Sequence, residues 1–225
     1  MAGYRRAVAE PAVVPALAFD PELGRCDWAG ASGPRPDPIM VRYHDDEWGT
    51  PVHDDVELFE RLALESFQAG LSWSTILRKR DSFRTAFRGF DPAVVAAFDN
   101  DDRERLMADA GIVRNRAKID ATIGNAAAWL ATADEFGSGD AYLASIVPGP
   151  PRRLPPTAMA GSIPAATPAS DALSADLKRR GFRFVGSTLA YALMQSIGLV
   201  DDHLPGCFRY AQSGFARGDG NSPKP

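Results

Sequence analysis

Apolar positions along this chain recur mostly at spacings of three and four, which is the period of an amphipathic α-helix. The clearest case is residues 54–69, where an acidic residue, Asp54, stands at the N-cap position before a periodic apolar run. No alternating stretch is long enough to require a sheet, so the predicted fold is all-α with short linkers. The further helices predicted in this way span residues 72–87, 91–98, 101–111, 114–136, 170–181 and 187–198.

Two details of the helical pattern are specific enough to test against a structure. Ser170 is expected to cap the helix that ends at Gly181, because serine is a preferred N-cap residue. In the helix over residues 114–136, the apolar stripe is expected to run through Ile119, Ile123, Ala127 and Leu130.

Composition is that of a soluble globular protein, with 225 residues of which 45% are hydrophobic and 24% charged. We expect a disordered extension over residues 1–22, one domain of two helical lobes over 23–210, and a flexible tail over 211–225. No apolar run approaches the roughly 20 residues of a membrane span, and prolines interrupt the only stretch that resembles a signal peptide. The protein is expected to be a cytoplasmic monomer. Its net charge of −4 disfavours uniform coating of a polyanion but does not exclude local basic patches.

The chain contains two cysteines and three histidines, and four of these five residues suggest a metal site. His203 and Cys207 are four residues apart around a Pro-Gly turn, a spacing that allows both to bind one tetrahedral ion. Cys26 and His44 would complete a Cys2His2 set that joins the N-terminal and C-terminal segments. Four protein ligands leave no open position for water, so the ion would be structural zinc. Two inert thiols and two surface imidazoles are the alternative, and spacing alone does not decide between them.

Glu65 is unusual because helical spacing places it on one face with Leu58, Leu62 and Ala69. An unpaired carboxylate on an apolar face is costly to bury, so we expect it to have either an ion-pair partner or a functional role. Arg61, one turn earlier, is the candidate partner. A functional role would be ligand binding together with aromatic neighbours, since a carboxylate among aromatic rings suits a flat cationic ligand. The aromatic residues concerned, which have ordinary core packing as their alternative, are Tyr43, Trp48 and Trp73.

Residues 106–119 read as two helical segments joined by a tight turn through Gly111. Such a hairpin offers backbone N–H groups to a phosphate, and cationic side chains stand beside it. An ordinary helix junction is the alternative, because glycine is common at such turns. The DNA-contacting residues predicted on the hairpin interpretation are Gly111, Arg114, Arg116 and Lys118.

Six motifs occur in order along the chain: RCDW, YHDDEWG, LESFQAGLSW, DAGIVRNRAKI, SDALSADLKRRGFRFVG and DDHLPGC. Over residues 25–210 the sequence resembles the DNA-3-methyladenine glycosylase I family. The resemblance implies an all-α helix-hairpin-helix fold with one zinc ion joining the two termini. It also implies a glycosylase that flips 3-methyladenine out of double-stranded DNA and hydrolyses its glycosidic bond, which starts base excision repair.

The resemblance assigns roles to individual residues. Glu65 falls at the position of the catalytic pocket glutamate, and Asn115 stands where lyase-competent relatives carry a Schiff-base lysine, which implies a monofunctional enzyme. The base-binding residues implied are Trp73, Tyr43, Met40 and Trp48. The zinc ligands implied are Cys26, His44, His203 and Cys207.

Met40 departs from the family pattern, because some members carry a stacking tyrosine there. A thioether still packs against an aromatic ring but attracts a cation less. This departure keeps a second hypothesis open, a zinc-clasped DNA-binding module of the same fold without catalytic activity. A zinc hydrolase is excluded if the ion has four protein ligands.

Overall fold

The computed structural model describes residues 22–30 and 36–212, and within these ranges the chain is mostly helical. This confirms the predicted helical class. The expected extension and tail fall almost entirely outside the described residues. No described helix is both long enough and apolar enough to cross a membrane.

The α-helices of the described chain are numbered in sequence order. They are α1 (Pro38–Arg42), α2 (Asp55–Gln68), α3 (Trp73–Ala86), α4 (Pro92–Ala96), α5 (Asn100–Ala108), α6 (Arg116–Phe136), α7 (Gly139–Ile146), α8 (Pro168–Arg179), α9 (Ser187–Ser196) and α10 (Phe208–Gln212). A π-helical segment, Tyr43–Glu47, continues α1, and short 3-10 helices lie at Asp27–Ala29, Arg88–Phe90 and Ala160–Ser162. Strands β1 (Arg152–Arg153) and β2 (Val200–Asp201) pair in parallel, with Arg152 opposite Val200. Two-residue strands are too short to leave an alternating pattern, so the sequence did not predict them.

Capping residues determine where the helices begin. Asp54 accepts from the backbone N–H groups of Val56 and Glu57, as its position predicts. The prediction that Ser170 caps α8 is wrong, because Thr167 is the N-cap and Ser170 is the third residue of the helix. The two residues form a reciprocal capping box, with Pro168 at the start of the helix.

The buried stripe of α6 also differs from its prediction. Ile119 and Ile123 are buried as predicted, but Ala127 is exposed. Leu130 is 39% exposed, and its neighbour Trp129 is buried in its place. Trp129 packs against Gly139 at the start of α7, where a β-carbon would stand 2.1 Å from the indole ring. The large indole therefore determines which face of α6 is turned inward.

Helix α2 is the central helix of the fold, because it packs against α3, α6, α7 and α9. Every residue from Leu58 to Phe67 is buried, including Glu60, Arg61 and Glu65. Burial all round the helix, rather than on one stripe, carries polar side chains into the interior. One of them, Glu65, belongs to the candidate functional site.

Candidate active site and metal centre

Residues Tyr43–Glu47 of the stretch RYHDDEWG form a π-helical turn. Two consecutive side chains of this turn, Tyr43 and His44, contribute to two different candidate sites. Tyr43 and His44 are both buried. Tyr43 lines a cavity, whereas the His44 Nε2 atom lies 3.4 Å from the Cys207 sulfur. A solvated surface turn, the commonest setting for a histidine beside acids, is therefore not what this segment forms.

Glu47 fixes the π-helical turn to the two helices behind it. Its carboxylate accepts from both Arg80 Nη atoms, at 2.5 and 2.9 Å, and lies 3.1 Å from Arg61 Nη2. Arg61 also donates to Glu57 at 3.0 Å. These contacts join the turn to α2 and α3, which supply the rest of the cavity wall.

The cavity has a volume of about 340 Å³, which is within the usual range for a small-molecule site. It brings together all five residues assigned to the base pocket from the sequence. They come from α1, the π-helical turn and the residue that follows it, α2 and α3. The full lining is Trp28, Met40, Tyr43, Trp48, Glu65, Gln68, Trp73, Ile163, Ala192 and Gln195.

Glu65 is 5% exposed, and no hydrogen bond or ion pair to its carboxylate occurs within the described ranges. Burial raises the pKa of Glu65 to about 8, and the nearby positive charge of Arg61 acts in the opposite direction. Arg61 is nevertheless ion-paired with Glu47 and Glu57. The structural alternative, in which Arg61 is the ion-pair partner of Glu65, is therefore wrong.

Four aromatic residues line the same cavity as Glu65. The Tyr43 and Trp73 ring centroids are 5.2 Å apart, with the planes tilted by 57°. Trp28 and Trp48 meet edge to face at 4.7 Å. Burial, together with the charge of Glu65, raises the pKa of Tyr43. The indole Nε1 atom of Trp73 is buried and has no hydrogen-bond partner among the described residues. A buried donor and a buried acceptor without partners are typical of a site that is completed by a ligand.

Three of the four predicted metal ligands form a buried group. The ligand atoms of Cys26, His44 and Cys207 all lie within 4.8 Å of one another. Asp45 accepts from His44 Nδ1 at 2.8 Å, which leaves Nε2 turned toward the two thiols. A carboxylate behind a ligating imidazole is the usual arrangement at metal sites.

His203 lies beside this group but does not belong to the set of three. Its ring centroid is 5.2 Å from that of His44, and its Nδ1 atom is 2.9 Å from Asp201 Oδ1. The Nε2 atom of His203 is buried and has no partner among the described residues. An unpartnered buried nitrogen beside two thiols and an imidazole fits a metal ion as the missing partner.

Both cysteines are buried, and neither forms a disulfide. A hydrogen bond from the Cys26 thiol lowers the pKa of Cys207 against the opposing effect of burial, and a hydrogen bond to His44 lowers it further. The same hydrogen bond and burial raise the pKa of Cys26. One thiolate is therefore favoured in this group before any ion binds, which suits a thiolate-binding metal.

Hydrogen bonds in the same region join the two ends of the described chain. The Leu204 amide donates to the Cys26 sulfur at 3.3 Å, and the Phe208 amide donates to the Gly24 carbonyl at 2.9 Å. A β-carbon at Gly24 would stand 2.3 Å from the Gly206 carbonyl oxygen, so only glycine permits this approach. We call this region, Gly24–Cys26 with Leu204–Phe208, the clasp.

The predicted hairpin joins α5 to α6, but several of its polar groups are already paired. The Gly111 amide donates to Asp109 Oδ1 at 2.7 Å, and Arg116 pairs with Glu104 at 2.7 Å. The buried Lys118 amine donates to the carbonyls of Phe67 and Ala69, at 2.8 and 2.6 Å. Lys118 thus holds the C-terminal end of α2.

Arg114 is exposed at the hairpin, and Asn115 caps α6 by accepting from the Lys118 amide at 3.1 Å. Lys79 of α3 donates to the carbonyls of Ala110 and Gly111. Its charge lies at the hairpin although it is more than 30 residues away in sequence.

Sequence reasoning also missed three polar or aromatic residues of the cavity. Trp28 belongs to the RCDW motif, two residues after Cys26, and this motif was the feature of the sequence that pointed to it. Gln68 lies one helical turn after Glu65, so the same periodicity argument was able to find it. Gln195 gave no sequence signal, because its place in the wall depends on how α9 packs.

Comparison with known proteins gives a consistent result. A family model described as methyladenine glycosylase matches residues 33–210. The chain is 47% identical over 188 residues to DNA-3-methyladenine glycosylase 1 of Escherichia coli, covering 84% of this chain and 97% of the relative. It is 44% identical over 185 residues to DNA-3-methyladenine glycosylase of Haemophilus influenzae, covering 81% and 96% of the two chains.

Solved structures agree with the sequence relatives. A crystal structure of 3-methyladenine DNA glycosylase I superposes with a TM-score of 0.74 at 48% identity, covering 82% of this chain and 98% of that one. The Staphylococcus aureus 3-methyladenine DNA glycosylase I, whose structure concerns 3-methyladenine recognition, gives 0.74 at 38% identity, with 77% and 92% covered. The family match spans well over half of the chain. The chain therefore belongs to the methyladenine glycosylase family.

Proposed function

We propose that this protein is a monofunctional DNA glycosylase that flips 3-methyladenine out of double-stranded DNA and hydrolyses its glycosidic bond. The observation that carries the proposal is the unpaired, buried Glu65 carboxyl group in a cavity walled by aromatic rings. Family membership and the 3-methyladenine glycosylase relatives support the same substrate.

The chemistry of the cavity suits this base. Adenine methylated at N3 is a flat cation, and Trp73 and Tyr43 offer π-faces to it, with Met40 contributing a polarisable thioether. Glu65 is without a partner, so it is available to accept from the exocyclic amino group of the base. A bound cation next to Glu65 favours its ionised form.

The reaction needs little acid catalysis, because the base already carries positive charge. The bond between the sugar C1′ atom and N9 of the base breaks, and its electron pair neutralises the base. The oxygen of a water molecule adds to C1′ and releases one proton, leaving an abasic site. Asn115 offers no amine for a Schiff base, which supports hydrolysis without strand cleavage.

The DNA is proposed to bind across the hairpin and the turn between α2 and α3. Arg114 is exposed at the hairpin for phosphate contact, and Arg116 is half exposed in its pair with Glu104. Leu71 is 41% exposed in the turn between two cavity residues, Gln68 and Trp73. An apolar side chain in that position suits the gap that a flipped base leaves in the stack.

Zinc is the ion proposed to bind at the clasp. Its ligands would be Cys26 and Cys207 of the clasp together with the adjacent His44 and His203. When bound, it would supply structural cross-linking of the two termini rather than Lewis-acid chemistry. The two free thiols suit a reducing compartment, and we propose a cytoplasmic monomer.

The test is base release from methylated duplex DNA by the full chain, with free 3-methyladenine measured by mass spectrometry. Wild-type protein is expected to release the base, and Glu65→Gln and Trp73→Ala to release it at least tenfold more slowly. DNA binding without release by the wild type would favour the second hypothesis, a zinc-clasped DNA-binding module. Equal release by all three proteins would contradict the assignment of the cavity.

A further inference from the structure

Gln195 of α9 lines the cavity, and hydrogen bonds hold both its backbone and its side chain in place. The Gly49 amide donates to the Gln195 backbone carbonyl at 3.0 Å. The side-chain Nε2 atom of Gln195 donates to Asp202 Oδ2 at 2.9 Å. These two hydrogen bonds hold Gln195 in a fixed position in the cavity wall.

Asp202 is itself buried and fixed by further contacts. Its carboxylate accepts from the Tyr191 hydroxyl and lies 3.3 Å from Arg152 Nη2. Arg152 Nη2 in turn donates to the Tyr191 hydroxyl oxygen at 2.7 Å. A carboxylate in this setting is an acceptor only, so it determines which end of the Gln195 amide faces it.

The Gln195 amide is therefore prevented from turning over. Its NH₂ group is directed to Asp202, and its oxygen, Oε1, is the remaining polar atom of the side chain. None of the described residues donates to that oxygen. A free amide would donate or accept with equal ease, whereas this one offers only an acceptor to a ligand in the cavity.

We propose that Gln195 is a specificity-determining residue that accepts a hydrogen bond from the amino group of the bound base, with Asp202 as its positioning residue. This inference rests on the proposed function and extends it to the choice of base. Adenine derivatives carry an amino group at position 6, and guanine derivatives carry a keto oxygen there. Two acceptors facing each other leave both unpaired, so the anchored amide selects 3-methyladenine against 3-methylguanine.

The experiment compares the release of the two bases from the same methylated duplex DNA. Gln195→Met keeps the approximate size of the side chain and removes the amide. Asp202→Asn replaces the fixed acceptor by a group that also donates, so the Gln195 amide is able to turn. Met40→Leu is the matched control, because it alters packing against either base without changing a hydrogen bond.

In Gln195→Met, the ratio of kcat/KM for 3-methyladenine to that for 3-methylguanine is expected to fall about tenfold, because the lost hydrogen bond served only one base. In Asp202→Asn, release of 3-methylguanine is expected to rise relative to 3-methyladenine. Met40→Leu is expected to change both rates by a similar factor and to leave the ratio unchanged. Melting temperature and zinc content are measured for each variant, so a folding defect is recognised separately from a change in selectivity.

The outcomes separate the two proposals. No release of either base by the wild type contradicts the proposed function. Normal wild-type release with an unchanged ratio in Asp202→Asn, or in a folded Gln195→Met, overturns the role of Gln195 and leaves the proposed function intact. Asp202→Asn keeps the test decisive even where Gln195→Met does not fold.

Discussion

The backbone of Gly49 lies against the imidazole of His203, so closely that a β-carbon at Gly49 would stand 2.8 Å from the ring Cε1 atom. Gly49 also has a φ of +75°, a conformation that a β-carbon disfavours. The glycine that ends YHDDEWG thus sets the position of a proposed metal ligand more than 150 residues later in the chain.

Gly49→Ala is expected to displace His203 and to lower both the zinc content and the melting temperature. Gly89→Ala is the matched control, because Gly89 has a φ of +73° but no atom within 4 Å of the added β-carbon. The control carries backbone strain of about 1 kcal/mol without the contact. Equal zinc content in the two variants, measured by elemental analysis, would contradict a role for Gly49 in placing His203.

Cys207→Ser is expected to lose zinc and to unfold at a markedly lower temperature, because a structural ion contributes folding free energy directly. His53→Ala is the control, since His53 is an exposed histidine paired with Asp140. Its removal is expected to leave zinc content unchanged. A one-to-one zinc content that survives in Cys207→Ser would disprove the clasp as a metal site.

Glu65→Gln is expected to be more stable than the wild type at pH 8 to 9, although less active. Burial raises the pKa of Glu65 from 4.5 to about 8, so the folded state binds a proton more tightly than the unfolded state. The contribution of this group to stability is complete below pH 4.5 and is lost as the pH rises through 8. Each pKa unit corresponds to about 1.4 kcal/mol, so the gain at high pH is a few kcal/mol.

Denaturant unfolding at pH 5 and pH 8.5 measures this effect. The stability difference between Glu65→Gln and the wild type is expected to be larger at pH 8.5. A difference that does not change with pH would show that Glu65 is already ionised in the folded protein, paired with a group such as Arg61.

Arg114→Ala and Lys118→Met are expected to affect different properties. Arg114 is exposed at the hairpin, so its loss should weaken DNA binding. The slope of log K for DNA binding against the logarithm of the salt concentration should become shallower by about one. Lys118 holds two carbonyls at the end of α2, so its loss should cost about 1 to 3 kcal/mol of unfolding free energy. Binding titrations at several salt concentrations, with thermal melting alongside, separate the two. A reduced salt slope in both variants would show that Lys118 also binds a phosphate group of the DNA.

The sequence predicted well those features that depend on local pattern or on the family resemblance. Asp54 caps its helix as its position indicates, and Glu65, Tyr43 and Trp73 do line one cavity. The metal group was predicted as four ligands, of which Cys26 and Cys207 meet His44 in the structure.

Features that depend on long-range packing were not predictable in this way. A charge counted along the sequence does not reveal that Lys118 is buried against the end of α2. A serine that fits an N-cap does not reveal that Thr167, three residues earlier, fits it better with Pro168 following. Asp202 and Gln195 acquire their relationship only when α9 and the segment after it fold back together.

The ring of Trp48 faces the cavity and also lies 4.7 Å from the His203 ring and 6.3 Å from the His44 ring. The fluorescence of this one indole therefore reports on two separate events, binding of a base in the cavity and binding of zinc at the clasp. Trp48 fluorescence is expected to change when free base is added to the zinc-loaded protein, and to change again when a chelator is added slowly. A chelator would then abolish activity at the rate at which the clasp opens, and this inhibition would resemble that of an enzyme with a catalytic metal.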